Sequence, residues 1–220
     1  MLKSFVLLVF GLFISPCFVF AQTEWEERLN EDGIVIYTRK VPNKKYLEFK
    51  ASTNVEASMH SLMALIKSVD DMSSWMKNFE INERLSSDSF WHQISYHEVY
   101  IPILQNRDVI LELNINKNTS TKSLRIEMKC LPGYLPEVDK KTRIQEMYGY
   151  WLCTPLENGQ IKIEYSMYVD PGKSIPSWLY NLRIKKDPFN TLSNIRTMIQ
   201  TKPFSEAYFP ELVQEISDKD

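Results

Sequence analysis

The stretch Asp170-Pro171-Gly172-Lys173-Ser174-Ile175-Pro176-Ser177-Trp178-Leu179-Tyr180-Asn181 joins two periodicities. Before it, Ile161, Ile163, Tyr165, Met167 and Val169 alternate, as one face of a strand does. From Ile175 onward, Trp178, Leu179 and Leu182 recur at helical spacing. Gly172 permits the tight turn between the two, and Pro176 suits a first helical turn. Trp178 brings a large apolar surface, expected to anchor the helix on a sheet. Asp187-Pro188 then interrupts the helix, and Phe189, Leu192, Ile195 and Ile199 resume its spacing, so a kink or restart is expected there. Residues 202–220 form a charged tail, expected to fray.

A terminal helix of this kind needs an apolar surface to cover, and the preceding segments supply one. Val109, Leu111, Leu113 and Ile115 alternate with Glu112 and Asn114. Leu124, Ile126, Met128 and Cys130 alternate with Arg125, Glu127 and Lys129. Residues 143–153 read as a further strand, with a bulge expected at Gly149. Residues 79–85 and 90–100 read as strands around Ser86-Ser87-Asp88-Ser89. Nearer the N-terminus, residues 34–39 and 46–55 form a hairpin across Pro42-Asn43. Met59, Leu62, Met63, Ile66 and Val69 switch to helical spacing behind Ser58 as N-cap, and a shorter helix is expected near Met72 to Met76. Thr23 and Glu26 have capping-box spacing, which predicts a short helix over Trp25 to Leu29. Strands linked in succession imply an antiparallel, strongly bent sheet with one covered face. The expected fold class is therefore α+β: a bent antiparallel β-sheet wrapped around a long C-terminal α-helix.

Hydrophobic residues make up 44% and charged residues 25% of 220 residues, which excludes bulk disorder; 6 Gly and 11 Pro exclude collagen-like or Gly/Ser-linker architecture. A net charge of −2 lacks the basic surplus that nucleic acid demands. Lys3, the apolar run Phe5 to Ile14 and Val19-Phe20-Ala21 before Gln22 read as a cleaved signal peptide over residues 1–21. The rest, one domain over 22–201 plus the tail, is expected to be exported, periplasmic or extracellular. Export permits disulfides. Yet if residues 123–131 and 143–154 pair as a hairpin, Cys130 and Cys153 sit far apart and stay unbonded.

Catalytic motifs fail on inspection. Gly172-Lys173-Ser174 resembles the end of a phosphate-binding loop, but Met167 stands where the leading Gly belongs. His97-Glu98 has Ile101 where a zinc-protease motif needs its second His. His92 and His97 have opposite parity on one strand. The Cys residues lack CxxC spacing, and no nucleophile elbow is present. No metal or cofactor is called for.

The junction at 170–181 closely resembles the strand-to-helix junction of START (StAR-related lipid-transfer) domains, commonly D-P-G-G-x-I-P-x-W-L-x-N. Arg107-Asp108-Val109 resembles the family's Arg-Asp-aromatic strand start. Gly33-Ile34-Val35-Ile36-Tyr37-Thr38-Arg39 and Lys50-Ala51 are similar to its N-terminal hairpin, and Asp71 with Trp75 to its helix-end pattern. Lys173 for the second Gly and Val109 for the aromatic are departures. The resemblance spans about Trp25 to Ile199. It implies the helix-grip fold, enclosing a tunnel for one lipid or other hydrophobic small molecule. It further implies a monomer with no enzyme activity, making transient membrane contact. The alternative is a cavity enzyme, as in the superfamily's polyketide cyclases. Strand parity nominates Val109, Leu111, Leu113, Leu124, Ile126, Met128, Ile163, Tyr165 and Met167 as cavity-lining. The resemblance adds Glu98, matching an acidic cavity residue of some members, although Leu113 stands where its Arg partner would be. Tyr96 shares the face of Glu98. That face turns either to the cavity or to solvent near a loop.

Overall fold

The computed structural model describes residues 24–172 and 175–213. The leader expected over 1–21 lies outside the described residues, as do Lys173 and Ser174 of the junction and the end of the tail.

Ten strands form one sheet: β1 Glu26–Glu31, β2 Ile34–Lys40, β3 Leu47–Glu56, β4 Phe79–Ser89, β5 His92–Val99, β6 Arg107–Lys117, β7 Leu124–Cys130, β8 Thr142–Arg143, β9 Glu146–Pro155 and β10 Gln160–Asp170. Their order is β1-β2-β3-β10-β9-β7-β6-β5-β4, antiparallel throughout, with the two-residue β8 pairing in parallel with β6. α1 Met59–Lys67 and α2 Met72–Trp75 lie between β3 and β4; α3 Ser177–Arg183, α4 Lys186–Met198 and α5 Pro210–Val213 follow β10. The alternation read along β6, β7 and β10 is that of the folded strands, and Ser58 caps α1 by accepting from the Ser61 amide.

The concave face packs against the helices through Leu62, Leu65 and Ile66 of α1, Trp75 of α2, and Leu192 and Ile195 of α4, all essentially inaccessible. Polar bonds seat α4 at its edges. Arg196 donates to the Asp32 carbonyl (2.6 Å) and to Thr53 Oγ1, and Asn194 Nδ2 donates to the Trp75 carbonyl (3.2 Å).

Four expectations are corrected. Residues 26–31 form an edge strand rather than a helix: the turn at Asp32 (φ 50°) and Gly33 (φ 69°) folds β1 back onto β2, and pairing outweighs the capping signal. There is no bulge at Gly149, because β9 keeps unbroken register with β10 through it. Glycine stands there because a Cβ would collide with the Ser166 carbonyl oxygen and lie 2.9 Å from Met167 Cα. Trp178 does not anchor the helix, being 65% exposed. Tyr46 does so instead: its hydroxyl donates to the carbonyls of Ile175 (2.7 Å) and Gly172 (3.2 Å), and its ring lies 4.9 Å from that of Tyr180. Finally, the described part of the tail packs down, burying Phe204 and setting Phe209 against Phe90 (5.1 Å).

The helical restart falls at Ile184-Lys185, slightly ahead of Asp187, which pairs with Arg183 in place of capping α4. β7 pairs with β9 as expected. Cys153 faces Leu124, six residues from Cys130 and so ~20 Å from it at ~3.3 Å per residue, and both thiols are free.

Candidate functional site: the concave face and its mouth

Residues directly opposed in an antiparallel ladder share a face, so the register arranges the interior in rows. One row runs Gln93, Leu113, Met128, Gly149, Met167, Phe49. The next runs Ile115, Ile126, Trp151, Tyr165, Ala51, Ile36. A third carries Leu124, Cys153, Ile163 and Thr53. Toward the Arg107 end lie Ser95 opposite Leu111 and His97 opposite Val109. All nine aliphatic and aromatic residues nominated by parity thus share the concave face. Met128 also reaches a shallow dip of about 290 Å³ beside Arg125, Tyr148 and Tyr150, and Leu124 a groove of about 690 Å³ with Met59, His60 and Leu212.

Glu98 and Tyr96 do not share that face. They oppose Asp108 and Ile110, so they point to the other side of the sheet. Tyr96, Ile94 and Ile110 form a satellite cluster with Leu131 and Leu135. Glu98 accepts from Asn106 (2.8 Å) and pairs with Lys141 (2.5 Å). Burial opposes ionisation of Glu98, but the bonds from Asn106 and Lys141 outweigh it and hold its pKa below the ordinary carboxylate value. The partner the sequence could not supply is therefore Lys141, from the loop covering this side.

The polar groups of β5 that enter the interior are Gln93, Ser95 and His97, each 1% exposed or less. His97 lies between Asn82 Oδ1 (2.8 Å from Nδ1) and Ser95 Oγ (2.7 Å from Nε2), with the Phe79 ring edge-on at 5.5 Å. With Nδ1 protonated toward the Asn82 oxygen, Nε2 accepts from Ser95. Burial pushes the imidazole pKa down to about 4, so it is neutral near pH 7. Burial also raises the pKa of Tyr165, whose ring stacks on Trp151 at 3.8 Å, and pushes the Cys153 thiol up to about 12. Among the described residues, two buried polar atoms of the interior lack a partner: Trp75 Nε1 and Gln93 Oε1. No cluster suited to a metal ion occurs among the described residues.

One end of this interior is fringed by loops. The loop between β5 and β6 and the chain segments after β7 and after β10 meet there. Arg107 Nε donates to the Pro171 carbonyl (3.1 Å), Thr142 Oγ1 to Gln105 Oε1 (3.3 Å), and Lys45 Nζ to the Ile175 carbonyl (3.0 Å). Ile103 at this rim is fully exposed, and Tyr134, Val138, Trp178 and Leu182 are exposed as well.

A bent antiparallel sheet whose apolar concave face is closed by a terminal helix defines the helix-grip class of fold. The START domain model matches residues 20–202, and the chain belongs to that family, which binds lipids and other hydrophobic ligands. A STAR-related lipid transfer protein from Xanthomonas axonopodis has a similar crystal structure (TM-score 0.75, 26% identity, 80% of this chain and 99% of that one). Human STARD10 shares the fold at 16% identity (TM-score 0.72, 81% and 74% covered). An uncharacterised Pseudomonas aeruginosa protein is 26% identical over 81% of this chain and 88% of its own length.

Proposed function

We propose that this protein binds one lipid or other hydrophobic molecule, without catalysis, between the concave face and the C-terminal helix. Exchange with membranes takes place through the loop-fringed end. The observation that carries the reading is the exposed apolar rim of Ile103, Trp178 and Leu182 around an interior lined by aliphatic and aromatic side chains. Exposed apolar groups gathered at one site mark an interaction surface. Lys45 and Lys185, both exposed near the strand-to-helix junction and the α3–α4 break, suit an anionic membrane surface. The break between α3 and α4 and the loops 100–106 and 131–141 are the segments whose opening costs least. Nucleic acid is no partner in this reading, and the protein acts as a monomer. In this reading the segment 1–21 serves as an export leader and the protein works outside the cytoplasm.

The test is a tryptophan scan of the concave face. Leu113→Trp and Met128→Trp should remain folded and lose uptake of a fluorescent lipid, because each ring takes up ligand space. In a filled core the same changes would overpack at ~1–3 kcal/mol or more. Unfolding of both variants, or normal uptake by both, refutes the reading at these positions.

The Asn82–His97–Ser95 chain favours one second reading, a cavity enzyme, since it is ordered as a nucleophile, base and orienting group. Turnover of a long-chain ester that disappears in Ser95→Ala would support that reading.

A further inference from the structure

We infer that Gln93 is the recognition point of the interior, and that it selects an uncharged ligand bearing a hydroxyl group. The inference rests on the ligand-binding reading above.

Gln93 stands on the concave face opposite Leu113, in the row that continues through Met128 and Gly149. It is 1% exposed, and its Oε1 has no hydrogen-bond partner. Leaving a buried acceptor unpaired carries a substantial penalty, and replacing such a group by an apolar one of similar shape removes it. A glutamine at this position in a row with no other polar side chain is therefore costly to the empty protein. A ligand that donates a hydrogen bond to Oε1 removes that cost. A pure hydrocarbon does not, and neither does a group that only accepts.

The charge of the ligand follows from the same wall. Ser95 and His97 adjoin Gln93 on this face and are bonded to each other, with His97 bonded onward to Asn82. Three cations of the neighbouring elements donate to main-chain carbonyls. Arg107 donates to Pro171 (3.1 Å) and Gln105, Lys67 to Phe90 (2.5 Å), and Arg84 to Lys67 (2.9 Å). A carboxylate or phosphate carried to Gln93 would set acceptor against unpaired acceptor at Oε1 and lose its hydration. A neutral hydroxyl donates to Oε1 without bringing a charge into the interior.

Position sets the orientation. Gln93 lies one residue from the start of β5, and Val99 ends that strand beside Arg107 at the loop-fringed end. Six residues at ~3.3 Å each place the amide ~20 Å from the mouth. The hydroxyl therefore enters first, and an apolar body about as long as an extended sixteen-carbon chain fills the distance behind it.

The experiment is competition against a bound fluorescent fatty alcohol by hexadecanol, hexadecane and hexadecanoate, on wild type, Gln93→Leu and Gln93→Met. Wild type should prefer hexadecanol to each of the other two by at least ~10-fold. Both variants should lose most of the preference over hexadecane, while their ligand-free melting temperatures hold or rise because the unpaired acceptor is gone. Equal wild-type affinity for hexadecanol and hexadecane, preference for the carboxylate, or full discrimination retained in the variants would overturn the role of Gln93 while leaving an enclosed ligand in place. If wild type binds neither the probe nor any competitor, the ligand-binding reading falls, and this inference with it.

Discussion

Arg143→Leu is expected to lower the unfolding free energy by ~3–5 kcal/mol, the cost typical of breaking a buried ion pair from one side. Arg143 and Asp108 are 5% and 0% exposed. The guanidinium meets Asp108 Oδ2 through Nη2 (2.7 Å) and Nε (3.0 Å). Its remaining donors reach the carbonyls of Pro132 (2.9 Å), Leu135 (3.0 Å) and Pro136 (3.0 Å). One side chain therefore ties the 131–141 loop to the start of β6. Loss of the guanidinium strands a carboxylate already short of a partner at Oδ1, and releases the loop that covers Tyr96 and Glu98. Exposed pairs such as Lys202–Glu206 should cost under ~1 kcal/mol when broken. Denaturant unfolding of both variants gives the comparison, and an Arg143→Leu cost no larger than that of the exposed pair would contradict it.

His97 should make the fold acid-labile. Its pKa falls from an ordinary 6.5 to about 4 through burial. Between those values the unfolded chain takes up a proton that the folded chain refuses. Stability is therefore fully present above about pH 6.5, declines as the pH drops toward 4, and levels off below. A difference of that size corresponds to about 3 kcal/mol. His92 works in the opposite sense, since its bonds to Asp88 and Glu112 raise its pKa, but it lies near the surface and its part is small. The readout is the difference between wild type and His97→Gln, in which the contribution of His92 cancels. The wild-type curve should fall more steeply between pH 6.5 and 4, and parallel curves would contradict the assignment.

The Asp108–Arg143 pair also shows where the sequence was legible and where it was not. Arg107-Asp108 was recognisable as a motif, and the structure gives its reason: Arg107 ties the start of β6 to the strand-to-helix junction at Pro171, and Asp108 receives Arg143. The contact to Arg143 spans 35 residues and a long loop, and no periodicity reports it. β6, β7 and β10 were legible because one face is buried and the other wet, so hydrophobicity alternates with the pleat. β5 is covered on both sides, by the helical layer and by the 131–141 loop, and Gln93 to Glu98 are all buried. Its apolar Ile94 and Tyr96 serve the satellite cluster, while its polar residues face the main interior. The resemblance nominated Glu98, with Tyr96 on its face, and the residues of opposite parity, Gln93, Ser95 and His97, were passed over. The signal that could have corrected it was the short connection from Val99 to Arg107, which sets His97 opposite Val109. Trp178 was misread for a related reason, since its spacing marks a helix face but cannot say whether that face meets the sheet or the surroundings.

Native mass spectrometry of the chain purified without detergent tests the enclosed-ligand claim most directly. The account predicts one neutral hydrophobic molecule per chain, released by organic extraction and regained on incubation with vesicles. A chain that carries nothing as purified, and that takes up nothing from vesicles or from dispersed hexadecanol, would contradict it.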